Sequence, residues 1–181
     1  MIARPYALVL VAAAAALACA APARAQTVSV VVTPLSDAPD LGRVVVVGGG
    51  ATAFSIDAAS GAVTRLAGGS AIRLTTASAT SPTVTLSCSG GALACSTLPV
   101  QISITAVAGS GSASITQFSV SSLSNATFMG GAPAAAATLN FSLNPIGAQT
   151  ATFQLGTRVS VSGTATAGPH SFSYVVSASL L

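Results

Sequence analysis

The chain has no tryptophan, lysine or glutamate, and its 181 residues carry only three acids, one histidine and three cysteines. Each scarcity removes a class of chemistry. The basic residues are arginines standing singly at Arg4, Arg24, Arg43, Arg65, Arg73 and Arg158, so the net charge of +3 reflects missing acids rather than a basic patch. A nucleic-acid footprint needs clustered positive charge and grouped aromatic stacking platforms. Past the first 25 residues the aromatics are Phe54, Phe118, Phe128, Phe141, Phe153, Phe172 and Tyr174, spread along the chain and read as core. No nucleic-acid partner is expected.

Titratable groups are too few for most catalysis. No G-x-S-x-G segment occurs, and no carboxylate follows Asp57, so the order serine, acid, histidine cannot be assembled around His170. Paired carboxylates for glycoside chemistry could come only from Asp37, Asp40 and Asp57. The first two sit in Ser36-Asp37-Ala38-Pro39-Asp40, whose ordinary role is a turn. His170 follows Pro169 at a second expected turn and reads as a solvated surface group. No catalytic residue, cofactor or metal is assigned, and an enzyme is the least supported reading.

One motif points the other way. Val44-Val45-Val46-Val47 runs into Gly48-Gly49-Gly50-Ala51-Thr52-Ala53, which matches the dinucleotide fingerprint G-x-G-x-x-A. That motif needs a helix to hold the pyrophosphate and an acid roughly 20 residues on to hold a ribose. Here Ala51–Ile56 reads as extended, and Asp57 is the last acid in the chain. The glycines are read as a break between two strands.

The first 25 residues form a targeting segment. Arg4 supplies the positive start, Leu8–Ala21 the apolar stretch, and Ala23-Arg24-Ala25 a small-x-small cleavage site before Gln26. Pro22 and Arg24 end the apolar run short of the roughly 20 residues a spanning helix needs, and no later run is long enough. The signal peptide is therefore placed at 1–25, cut between Ala25 and Gln26, leaving 26–181 as a single exported domain with no membrane span. Lipoprotein processing at Cys19 is an alternative, with Ala16 where a lipobox usually has leucine.

Export fixes the reading of the remaining cysteines. Cys88 and Cys95 flank Gly90-Gly91 and are expected to form a disulfide that staples a local loop or hairpin. The rest of the domain is rich in Val, Thr, Ser, Ala and Gly, in short apolar runs broken by Gly, Pro, Asn or Asp, which is an all-β pattern. Phe172, Tyr174, Val176, Ala178 and Leu180 share one face, Ser171, Ser173, Ser177 and Ser179 the other. Val100–Ala106 and Thr83–Ser87 alternate likewise. Asp57–Gly61 is expected to close a hairpin with Gly61 left-handed, and Thr166–Pro169 to close a terminal hairpin. Ala132–Ala137 is too short for an independent helix and reads as a strand entry. The expected fold is an antiparallel immunoglobulin-like or pilin-like β-sandwich.

At the start of the exported domain, Val28, Val30 and Val32 alternate within Thr27–Thr33. They make a strand that either completes its own sheet or, as an edge or donor strand, adds to a neighbour's. Few surface charges oppose self-association.

Leu41-Gly42, the run Phe54–Val63, Gly68-Gly69, Phe153–Val161, Ala167-Gly168 and Tyr174-Val175-Val176 together resemble the exported bacterial family called domain of unknown function 4402. That family is similar in outline to the spore-coat-U and fimbrial-subunit group of β-sandwich proteins. The resemblance implies a secreted, periplasmic or cell-surface structural role without catalytic residues. The Cys88–Cys95 pair has no place in the family pattern, and Ser179-Leu180-Leu181 lacks a chaperone-recognition signature. The leading expectation is a non-enzymatic surface or fimbria-like subunit that associates with itself or with other such subunits through edge strands. The alternative is a monomeric adhesin or ligand-binding module.

Overall fold

Period-two alternation becomes burial along most of the chain. The computed structural model describes residues 27–33, 39–89, 92–107, 112–170 and 173–181. The expected signal segment, with Cys19 and the Ala25–Gln26 junction, lies outside the described residues, as do Asp37, Gly90-Gly91, Ser171 and Phe172. The strands are β1 (Thr27–Thr33), β2 (Val44–Val45), β3 (Thr52–Ile56), β4 (Val63–Gly68), β5 (Ile72–Arg73) and β6 (Thr83–Ser89). After a six-residue helix α1 (Ala92–Thr97) come β7 (Val100–Val107), β8 (Ala113–Ser124), β9 (Phe128–Met129), β10 (Thr138–Leu143), β11 (Ala151–Val161) and β12 (Ser173–Leu180).

These strands form two antiparallel main sheets and a small ribbon. The second sheet runs β12-β7-β10-β9. The first is built around β11, the long central strand. One edge of β11 carries β8 over most of its length. Its other edge carries two strands in tandem, β6 against Ala151–Gln154 and β3 against Thr157–Val161. β1 then pairs outside β6, and β4 outside β3. β2 and β5 form the ribbon.

Gly156 lies at the junction of the tandem strands. A Cβ there would meet Ser119 Oγ at 2.6 Å and the backbone of Ile56 and Ala58 at 2.9 Å, so only glycine lets the two strand ends meet across β11. β8 follows β11 through two irregularities. At one of them Ser122 takes φ 54°, a left-handed conformation unusual for a residue with a Cβ.

The sheets pack face to face. Val84, Leu86, Phe153 and Leu155 of the first sheet and Val100, Ile102, Ile104 and Leu143 of the second are fully buried. Each such side chain stabilises the fold by roughly 1.5–3 kcal/mol relative to exposure. Aromatic rings bridge the layers edge to face, Phe141 against Phe153 at 5.7 Å and Tyr174 against Phe118 at 5.8 Å. The all-β sandwich expected from the alternation is the fold observed.

The β3–β4 hairpin closes at Asp57–Gly61 as expected, with Gly61 at φ 65° and its N–H donating to Asp57 O at 2.9 Å. The expected terminal hairpin does not form. β11 and β12 belong to different sheets, β12 pairing with β7, so Thr166–Pro169 crosses from one layer to the other. An apolar face on each strand is satisfied by either partner, and the alternation carries no information about which sheet a strand joins. Ala132–Ala137 is extended rather than helical and Ala136 bridges to Phe118, whereas the described helix lies at Ala92–Thr97.

Candidate functional site

Two places on the sandwich have the makings of a site. The first is the β1 edge. β1 pairs with β6 through its full length, Thr27 opposite Ser89 and Thr33 opposite Thr83. Val28, Val30 and Val32 turn toward the core and are half-buried, while Val31 on the other face is 46% exposed. The expected donor-strand valines are thus gathered on one face, and within this chain the strand pairs at home. Its partner β6 is more deeply set, with Val84 and Leu86 fully buried. Among the described residues β1 has no hydrogen-bonded strand on its other side, so it is an edge of the first sheet.

Cys88, opposite Val28 in this pairing, forms the expected disulfide with Cys95 of α1. Cys95 is fully buried, and its carbonyl accepts the Gly147 N–H at 2.7 Å. The bridge therefore joins the end of β6 to the helix that leads into β7 of the other sheet. It staples a crossover between layers.

The second place is a cavity of about 710 Å³ at the end of the sandwich where β11 finishes. The segment Asp40–Val46, Leu74, the crossover Ala165–His170 and the buried Ala113 and Val161 line it. The Asp40–Arg43 backbone is firmly tied: Gly42 N–H donates to Asp40 Oδ1 at 2.7 Å, Arg43 N–H to Thr75 Oγ1 at 2.9 Å, and Leu74 N–H to Arg43 O at 2.8 Å. Arg73 adds a bond from Nε to Leu41 O at 2.7 Å. Across the cavity, His170 Nε2 lies 2.8 Å from the Thr166 carbonyl, which only accepts, so Nε2 carries the proton and Nδ1 is left for other partners. His170 is half-buried, and its one described bond is made within the crossover at the surface.

Asp40, Arg43 and His170 therefore share one cavity, although no described hydrogen bond joins them to each other. Asp40 and Arg43 lie three residues apart on one segment, His170 far along the chain, and neither spacing nor motif signals its meeting with them. Among the described residues no group of three or more His, Cys, Asp or Glu is placed to hold a metal ion.

The glycine-rich segment that resembles a nucleotide loop has a different environment. Gly48–Gly50 runs into β3, an extended strand, rather than into a helix. Gly163 abuts the carbonyls of Gly49 and Gly50, and Ser70 Oγ donates to Gly48 O, so other backbone and side-chain groups crowd the loop.

Two titratable groups elsewhere are perturbed. The Ser60 hydroxyl and backbone N–H, followed by the Ala59 N–H, hold the exposed Asp57 carboxyl below its ordinary value. Burial against Phe118 pushes the Tyr174 hydroxyl up to about 12. Asp57 closes a turn, and Tyr174 fills the space between the layers.

No family model, no curated protein and no solved structure matches the chain. Among the described residues no helix is long and apolar enough to cross a membrane.

Proposed function

We propose that the protein is an exported, non-enzymatic surface or fimbria-like structural subunit whose copies join by edge-strand pairing, in keeping with its resemblance to the family called domain of unknown function 4402. The observation that carries the reading is the character of β1. It is an edge strand, joined to the domain by hydrogen bonds on one side among the described residues, with core-facing valines that are half-buried where Val84 and Leu86 of β6 are fully buried. A strand attached in that way is exchangeable for the same strand of another copy, since the acceptor edge of β6 offers the same backbone groups and the same apolar positions to either. Removing residues 26–33 tests this. The shortened protein is expected to stay folded and to lose its oligomers in sedimentation, and a peptide spanning Thr27–Thr33 is expected to bind it. A shortened protein that unfolds as a monomer would show the strand to be purely internal.

The cavity favours a second reading, a monomeric ligand-binding module. Under that reading the full-length protein remains a monomer at high concentration.

A further inference from the structure

We infer that the cavity beside His170 binds a single-chain aliphatic carboxylate, with Arg43 holding the acid and the β2–β5 ribbon holding the chain. The site does not depend on how copies assemble, because none of the residues lining it belongs to β1.

Three observations lead there. The first is what the arginines do. Arg65 spends its guanidinium on the carbonyls of Gly68 and Gly69, and Arg73 on those of Leu41 and Ala77. Arg43, by contrast, is an exposed lining residue that makes only backbone bonds among the described residues, so its guanidinium donors are unspent while its backbone is held beside the cavity from both sides. A free guanidinium matches a carboxylate in shape and charge.

The second observation is the aliphatic wall. Val45 faces Ile72 across the antiparallel ribbon, and Leu74 and Val47 flank that pair at opposite ends of the same outward face. These side chains are 43%, 56%, 68% and 57% exposed respectively, and Val45 and Leu74 line the cavity itself. Four large aliphatic groups in one contiguous exposed face mark an interaction site more often than a bare surface. The third is the composition of the lining. It contains no aromatic ring other than the imidazole, whereas a flat ring is the usual platform for a sugar face. A volume of about 710 Å³ lies in the range of small-molecule sites.

Asp40 shares the lining and adds a discriminating sign. One of its oxygens accepts the Gly42 N–H, and its negative charge opposes a bound acid. It would assist a ligand that presents hydroxyl groups.

Calorimetric titration of the folded protein with dodecanoate, kept below its micelle concentration, tests the site. Saturable binding is expected, weakened at least about tenfold for dodecanol and by a similar factor in Arg43→Gln, the worth of one charge-assisted contact. Arg158→Gln, on β11 but outside the cavity lining, should bind as the parent does. Asp40→Asn retains the acceptor for Gly42 and is expected to tighten binding. Circular dichroism establishes that each variant is folded, and the Asp40 result reads the site even if Arg43→Gln is unstable. Absent or non-saturable binding, equal affinity for dodecanol, full affinity in folded Arg43→Gln, or weaker binding in Asp40→Asn would each overturn the inference.

Discussion

Tyr174 shows how one side chain registers the meeting of two layers. Its ring reaches from β12 to Phe118 of β8, and burial raises its hydroxyl to about 12, so the folded protein keeps a proton that the unfolded chain releases near the ordinary value of 10.0. The resulting stability is whole below pH 10.0 and drains away as pH rises toward 12. The chain has no tryptophan and its one other tyrosine is Tyr6, so ultraviolet titration of a chain that starts at Gln26 is a direct reading of Tyr174. The tyrosinate absorbance is expected to rise with a midpoint near 12. A midpoint at 10.0 would mean that the ring is not buried between the sheets.

Single elements depend on contacts that their own sequence does not announce. Gly156 is unremarkable within Leu155-Gly156-Thr157, yet it sits where β3 and β6 meet along β11. Gly156→Ala is expected to cost about 1–3 kcal/mol, as overpacking against backbone does, measured by denaturant unfolding. The helix α1 has only six residues and little stability of its own. Its tie to β6 through Cys88–Cys95 closes a short loop, so replacing both cysteines with serine is expected to lower stability by about 2–3 kcal/mol in the same measurement. Unchanged stability in that double variant would show the bridge to be dispensable.

The strands themselves were legible because alternation and burial follow one physical rule. Val100–Ala106, Thr83–Ser87 and the C-terminal strand are all readable from their periodicity, and the Asp57–Gly61 turn from its residue types. Pairing was not legible. The crossover of Thr166–Pro169 looks like a hairpin in sequence, because a turn residue dictates reversal and not the sheet in which the next strand lands. The cavity was hidden for the same reason. The Asp40–Arg43 segment and the crossover that carries His170 are brought together only by the fold, and Asp40 and His170 each read alone as ordinary turn residues.

At the scale of the whole molecule, the shortage of charge sets the terms of any association. The described strands β1 and β6 contain no charged side chain, so assembly through them rests on backbone hydrogen bonds and aliphatic contact. Edge-strand association is therefore expected to change little between about 0.05 and 0.5 M salt, a range that would dissolve a charge-driven interface. Sedimentation at both salt concentrations checks this, and a steep decline on adding salt would point to a different surface.

The tandem seating of β6 and β3 on one edge of β11 also governs how the domain bears mechanical load. Tension entering at Thr27 passes into β6, whose grip on the rest of its sheet is the four-residue ladder at Ala151–Gln154 and the Leu155–Pro82 bond. The β3–β4 hairpin, seated further along the same edge, shares none of that traction directly. The Cys88–Cys95 crosslink offers a parallel route, passing force from β6 through α1 to β7 in the opposite layer.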